Sequence, residues 1–242
     1  MTAEPDRLFS DAELAQIYDD LEGDRLDLDH YEALVTELEA TSVLDVGCGT
    51  GELSLRLARS GLEVTGVDPA LASLRVAQAK PGAHRVRWIH GTAPSLPPLA
   101  LDLAVMTGNV AQVFLTDDDW AATVAAVRAA LVPAGSFVFE TRDPRDQAWE
   151  RWHAEPSRTI DTRIGPVSRS IEVTDVALPL VSFRVDYDVA ASGQQLSSTS
   201  TLRFRSEAEV RASLAAAGFA VDEIRDAPDR PGREFVFIAR AR

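Results

Sequence analysis

Val43-Leu44-Asp45-Val46-Gly47-Cys48-Gly49-Thr50-Gly51 is an apolar run that breaks into glycines at alternate positions. Ser42 to Val46 reads as a short buried strand. Beyond the glycines, Leu53, Leu57 and Ala58 recur on one face of a helix that Gly61 should end in a left-handed cap. The unit is therefore strand, glycine loop, helix. Glycines at this spacing let the backbone turn sharply and approach a ligand closely, and a loop that opens a helix presents free amide groups and the positive end of a helix dipole.

Working outward, the same alternation repeats. A second strand, Glu63 to Val67, ends at Asp68-Pro69 and is followed by a helical stretch from Leu71 to Lys80. Val86 to His90 and Leu101 to Met106 read as strands. Asp117 to Val132 reads as a helix, capped by Thr116 and Asp119, with Trp120, Val124, Val127 and Leu131 on one face. Ser136 to Glu140 is a further buried strand. Strands separated by helices of this size predict an α/β fold: a doubly wound, mostly parallel sheet of seven strands with helices on both faces.

From about Arg142 to Arg205 the period changes to two, most plainly at Val181, Phe183, Val185, Tyr187 and Val189, with turn signals at Gly165-Pro166 and Ser192-Gly193. This predicts an antiparallel β insertion after the fifth strand. A capping box at Ser206 and Glu209 then restarts a helix through Val210, Leu214 and Ala217, ended by Gly218, and Phe219 to Ile224 and Phe235 to Ala239 close the sheet. Upstream, a capping box on Ser10-Asp11-Ala12-Glu13 opens a helix through Leu14, Ile17, Tyr18 and Leu21, stopped by Gly23. A second helix runs from Asp27 through Tyr31, Leu34, Val35 and Leu38 to about Ala40. The expected division is a core of residues 1–141 and 206–242, with 1–40 as a helical lid, and an insertion of residues 142–205.

The 242 residues carry 24 Lys and Arg against 38 Asp and Glu, a formal net charge of −14, and one cysteine. The acidic balance disfavours a nucleic acid as partner, since phosphate backbones need clustered Lys and Arg. One thiol makes neither an internal disulfide nor a multi-thiolate metal site, so no metal is expected and a reducing compartment is. No apolar run approaches the roughly 18 residues needed to span a bilayer, and Met1 to Asp11 carries Glu4, Asp6 and Asp11 in place of a basic, then apolar, leader. A cytoplasmic protein with a small-molecule partner is the expectation.

A dinucleotide-binding loop has the spacing G-x-G-x-x-G, but Glu52 stands where its third glycine would fall. With Asp45 two residues ahead, the loop would repel a pyrophosphate and suits a ligand carrying an amino group and a sulfonium charge. Here the chain resembles the class I S-adenosylmethionine-dependent methyltransferases. The resemblance implies S-adenosyl-L-methionine as cofactor, S-adenosyl-L-homocysteine as product, and Asp45, Gly47, Cys48, Gly49 and Gly51 as the motif that wraps the methionine and ribose. Asp68 would accept hydrogen bonds from both ribose hydroxyls and Pro69 would shape the adenine edge. The acid usual after the third strand is missing, which leaves Thr92 and Ala93 in Gly91-Thr92-Ala93 to meet the adenine. Thr107-Gly108-Asn109-Val110 would line the methyl-transfer channel, so Thr107 and Asn109 join the cofactor set. Tyr18, with Asp19, would close over the cofactor from the lid, and Arg25 would meet its carboxylate.

Plainer readings stand beside these. Asp45 can simply hold the loop, Asp68 can be a helix cap, Tyr18 can be a core residue, Arg25 can be solvated, and Cys48 is a small filler with no histidine close in sequence to activate it. For the acceptor, His153 is the candidate base, falling with Trp149 and Trp152 just after the fifth strand, at the sheet edge where open α/β proteins bind ligands. Gln112 is a second candidate, and Gln112, Arg142 and Trp149 are candidates for orienting the acceptor. No Asn-Pro-Pro-Tyr-like motif follows the fourth strand, which points away from a flipped base. The N-terminal helices, the insertion and Arg230-Pro231-Gly232-Arg233-Glu234-Phe235 resemble N-methyltransferases of nucleotide-linked amino sugars, in which the insertion roofs the acceptor site or forms a homodimer contact. The expected reaction is methyl transfer to an N or O of a small molecule. A non-catalytic S-adenosylmethionine-binding module and an NAD-dependent oxidoreductase are the alternatives.

Overall fold

Strands whose side chains alternate between two apolar faces need cover on both, and helices supply it. In the computed structural model, which describes residues 4–242, the chain runs through α1 (Arg7–Ser10), α2 (Ala12–Glu22), α3 (Asp27–Glu37), β1 (Ser42–Val46), α4 (Glu52–Arg59), β2 (Glu63–Asp68) and α5 (Leu71–Ala79). It continues with β3 (Val86–His90), β4 (Leu101–Met106), α6 (Asp117–Ala130), β5 (Leu131–Arg142) and α7 (Ala148–His153). Then come β6 (Arg158–Thr162), β7 (Gly165–Ala177), β8 (Leu180–Val189), β9 (Gln194–Arg203), α8 (Glu207–Ala216), β10 (Phe219–Asp226) and β11 (Glu234–Ala241). Met1, Thr2 and Ala3, which open the segment read for a leader, lie outside the described residues. Among the described residues no helix is long and apolar enough to cross a membrane.

The seven-stranded sheet has the order β10-β11-β5-β4-β1-β2-β3, with β11 alone antiparallel to its neighbours. The period of two sorts its core. Leu44, Ala104, Met106, Phe137, Phe139 and Phe237 pack on one face against Trp120, Val124 and Val127 of α6 and Leu214 of α8. Val43, Leu103, Val105, Val138 and Val236, one residue out of phase, pack on the other face against Leu28, Tyr31 and Leu34 of α3 and Leu53 and Leu57 of α4. From β1 the chain winds outward to β2 and β3, then returns to β4 on the other side of β1. The crevice between the carboxyl ends of β1 and β4 is thus the switch point at which such sheets bind ligands.

β6, β7, β8 and β9 form a separate antiparallel sheet between β5 and α8 in sequence. Its apolar face is covered from within the chain. Leu14 and Ile17 of α2 pack on Val167, Val185, Tyr187 and Leu196, and Trp149 of α7 packs on Val181, Leu202 and Phe204. Burial of side chains of this size stabilises by about 1.5–3 kcal/mol each.

Two local expectations are corrected. The cap of α2 is Asp11, not Ser10: the Asp11 carboxylate accepts from the Glu13 and Leu14 amides, because Ser10 is itself the last residue of α1. The helix predicted to run to Val132 ends at Ala130, because Leu131 already enters β5, pairing with Leu101. The caps at Thr116 and Ser206 form as the sequence predicts.

Candidate active site at the sheet edge

The glycine loop leaves β1 under tight constraint. Gly47 and Gly51 have φ of +74° and +78°, where a Cβ would fall 2.7 Å from Val110 and 2.5 Å from Trp88. The backbone therefore needs both the left-handed conformation and the missing side chain. The Gly47 and Cys48 amides donate to the Val67 carbonyl at 2.8 and 3.2 Å, tying the loop to β2. Asp68 does more: its carboxylate accepts from the Gly49 amide at 2.8 Å and the Ala70 amide at 2.7 Å, so it holds the loop and the opening of α5 together. At Gly49 a Cβ would meet nothing within 4 Å, so the outer side of the loop is open. This cradle of left-handed glycines, with α4 opening directly behind it, has the form needed to hold the methionine end of a sulfonium cofactor.

Beneath the loop, Asp45 is 2% exposed. It accepts from the Ser54 hydroxyl at 2.6 Å, and burial, with the charge of Asp68 behind it, pushes its carboxyl up to about 6. Burial also raises Asp68 and, with the charges of Asp45 and Asp68, keeps the Cys48 thiol protonated, in keeping with a filler role. Pro69 offers its carbonyl to the His90 ring at 3.1 Å. Thr92 starts a short turn whose Ala93 is buried.

The N-terminal helices lie over this loop. The Thr50 hydroxyl donates to Asp19 at 2.6 Å, and Lys80 pairs with Asp19 at 2.6 Å and Glu52 at 3.4 Å. Tyr18 is half-buried beside Phe9, its ring centroid 5.5 Å away, and burial raises its phenol. Arg25 places its guanidinium fork on Asp27 at 2.8–2.9 Å.

The other half of the edge gathers residues from distant segments. Thr107 and Gly108 leave β4 and lead to Asn109, which sits at φ +59° and is buried. The Asn109 amide donates to Glu140 at 3.0 Å, and its side-chain Nδ2 donates to Glu234 at 3.0 Å. Tyr31 donates to the second oxygen of Glu140, whose carboxyl is raised by burial and by the charge of Glu234. Gln112 is fully buried and accepts from Arg142 at 2.8 Å, and Arg142 also lies over the Trp152 ring at 5.2 Å. A cleft of about 450 Å³ opens here, lined by Arg142, Arg151, Trp152, Arg158, Arg233 and Glu234 among others.

The structure thus brings Gln112 and Arg142 together beside the switch point. It places the other acceptor candidates elsewhere. Trp149 is buried edge-on against Phe204, centroids 5.0 Å apart. His153 is exposed, in a separate groove with Val173 and Asp175. Among the described residues no cluster of three His, Cys, Asp or Glu side chains is placed to hold a metal ion.

Three members of this edge, Tyr31, Glu140 and Glu234, were not singled out as site residues from the sequence. Tyr31 reads as one more core position of its helix. Glu140 carries a signal, a carboxylate closing an apolar buried strand. Glu234 is hidden by topology. The ligand edge is expected at the carboxyl ends of parallel strands, but β11 runs the other way, so its first residue reaches that edge, paired with Arg142.

Residues 43–135 match the family model described as a methyltransferase domain. That match takes in 93 of the 242 residues. An uncharacterized methyltransferase of Mycobacterium bovis is 31% identical over 128 residues, 50% of this chain and 63% of that protein. The chain spans 17% to 63% of the length of these curated relatives. Two solved structures share the methyltransferase fold across nearly the whole chain. One is an S-adenosylmethionine-dependent methyltransferase from Clostridium acetobutylicum, with a TM-score of 0.76 and 18% identity over 95% of this chain and 98% of that one. The other is an amino pentose methyltransferase from Micromonospora echinaspora with S-adenosylmethionine bound, with a TM-score of 0.70 and 21% identity over 93% and 94%.

Proposed function

We propose that this chain is an S-adenosylmethionine-dependent methyltransferase that acts on a small molecule. The observation that carries the reading is Asp68, which ends β2 and fastens the Gly49 amide beside the switch point of a methyltransferase fold. Asp45, Gly47, Cys48, Gly49 and Gly51 would hold the methionine and ribose portions, Asp68 and Pro69 the ribose and adenine edge, and Thr92 and Ala93 the base. When bound, the cofactor supplies a methyl group already activated on a sulfonium, so the protein has to align the acceptor in line and exclude water. Of the lid expected over residues 1–40, the described helices would close over the loop through the Asp19 contact to Thr50. The insertion of residues 142–205 contributes Arg151 and Arg158 to the roof of the acceptor cleft, and a homodimer would have to use its other, outward face. The acidic balance supports an acceptor other than nucleic acid, and the one buried thiol supports the cytoplasm.

Isothermal calorimetry with S-adenosylhomocysteine tests the reading. Wild type is expected to bind with micromolar affinity, on the order of −8 kcal/mol; absence of binding by folded protein, or unchanged binding in Asp68→Ala, refutes it. A non-catalytic S-adenosylmethionine-binding module is the second reading, favoured by His153 lying outside the cleft. Tight cofactor binding without transfer to any of a broad set of amines, sugars and phenols would select it.

A further inference from the structure

The 242 residues hold a single lysine, Lys80, among 24 Lys and Arg. It caps the carboxyl end of α5, and its ammonium sits between carboxylates from two other helices. Nζ meets Asp19 Oδ2 of α2 at 2.6 Å and Glu52 Oε2 of α4 at 3.4 Å. Asp19 uses its other oxygen to accept from the Thr50 hydroxyl at 2.6 Å, so one carboxylate grips both the glycine loop and Lys80. Glu52, which stands where a dinucleotide loop would have its third glycine, is the first residue of α4. Its other oxygen, Oε1, faces Arg56 Nε at 3.4 Å, and Arg56 Nη1 reaches Asp29 and Glu32 of α3 at 2.8 and 3.4 Å. A relay from Thr50 through Asp19, Lys80, Glu52 and Arg56 to Asp29 thus ties α2 and α3 to the start of α4. Among the described residues α2 makes two ion pairs, Asp20 with Arg163 between β6 and β7, and Asp19 with Lys80. Lys80 is therefore its ionic link to the seven-stranded core.

We propose that Lys80 is a positioning residue that latches α2 over the glycine loop and sets the rate at which cofactor and product exchange. The proposal rests on the methyltransferase reading, in which α2 closes over the cofactor. An ammonium is a compact charge with three donors, suited to acceptors that arrive from different directions, as Asp19 and Glu52 do. With side-chain exposures of 18% for Lys80 and 24% for Asp19, the pair is only partly in water and is screened less than a pair on the open surface. None of Lys80, Asp19 and Glu52 is assigned a contact with the cofactor. The latch therefore has to break for a ligand on its way in and on its way out alike, and its loss changes both rates while leaving their ratio, the affinity, in place.

The test follows S-adenosylhomocysteine on and off the full chain by stopped-flow tryptophan fluorescence, with Trp88, packed behind Gly51, as the reporter. This ligand has no net charge, so added salt acts on the latch and not on its approach. Lys80→Met keeps most of the stem and removes the charge. It should speed association and release about tenfold each and leave Kd within about twofold, which also shows that the variant is folded. Lys80→Arg, which keeps the charge, should stay within about threefold of wild type. Between about 20 mM and about 500 mM NaCl both wild-type rates should rise about fivefold, and those of Lys80→Met by less than about twofold. A second readout needs no ligand. With lysine labelled with ¹³C at Cε, the chain gives one lysine signal, which should move with salt and in Asp19→Asn. Wild-type rates in Lys80→Met, a salt response that survives in it, a Kd that weakens in step with release, or a lysine signal that neither salt nor Asp19→Asn moves would overturn the latch. Failure of the wild type to bind S-adenosylhomocysteine would instead overturn the methyltransferase reading, and the gating role with it, while the lysine signal would still report whether the pair forms.

Discussion

Around the glycine loop, the residues that meet are near one another in sequence: Gly49 and Asp68 are 19 positions apart, Asp45 and Ser54 nine. Around the acceptor cleft they are not, since Asn109 meets Glu234 across 125 positions and Tyr31 meets Glu140 across 109. The first half is a local backbone device, set by φ angles and one carboxylate at the next strand end. The second exists only once α3, β4, β5 and β11 are in register. Substitutions in the two halves should therefore fail differently: loop changes should strike the backbone and the cofactor together, and cleft changes should strike the acceptor alone.

The largest effect is expected at Gly51→Val, where a left-handed φ and the 2.5 Å approach to Trp88 leave no room. Thermal unfolding should report a loss of about 3 kcal/mol or more, and calorimetry no measurable S-adenosylhomocysteine binding. A variant as stable as wild type would show that the loop is not under the constraint described. Asp68→Ala should come next, frees two backbone amides and, by calorimetry, should weaken S-adenosylhomocysteine about 10- to 100-fold, with about 1–3 kcal/mol lost from stability in urea.

Asp45 gives the same half a pH signature. Its carboxyl is neutral below about 6 and charged above, so affinity for the cationic S-adenosylmethionine should climb about tenfold between pH 5 and 7. Asp45→Asn should flatten the profile. In the protein without cofactor the sign reverses. The folded value lies above the ordinary one near 4, so the unfolded chain loses this proton first, and the contribution of Asp45 to stability declines as pH rises from about 4 to about 6.

On the acceptor side, Arg142→Gln should raise the acceptor KM about tenfold through the lost contacts to Gln112 and Glu234, while S-adenosylhomocysteine affinity stays within about twofold. An equal loss in both would break the comparison between the halves. The smallest effect is expected at Thr50→Val, which removes one hydrogen bond to Asp19 and should cost about 1 kcal/mol in cofactor affinity.

The same contrast explains what could be read before the structure. The alternation from Ser42 to Glu140 is specified by local period and glycine punctuation, so the order of strands, helices and loop was legible, although the helix end at Ala130 and the start of β5 at Leu131 were not. Asp45 and Asp68 could be named because the spacing within one strand–loop–helix–strand unit is short. His153 was named by position after the fifth strand, but α7 turns it to the far groove because Trp149 and Ala148 are drawn under the second sheet. Glu234 could not be named from strand ends, since one strand in seven runs backward. The resemblance gave the insertion a roof or homodimer role, and no sequence pattern disclosed that Leu14 and Ile17, more than 140 positions upstream of its strands, would cover its apolar face.

That cover gives α2 two attachments at once. Its apolar side is seated on Val185 and Tyr187, and Asp19 on its polar side holds Thr50 of the glycine loop. Fraying this helix would strip the second sheet of its packing, so α2 is expected to open only together with that sheet. Amide hydrogens of α2 should then exchange at the pace of the sheet beneath it, even while the loop breathes.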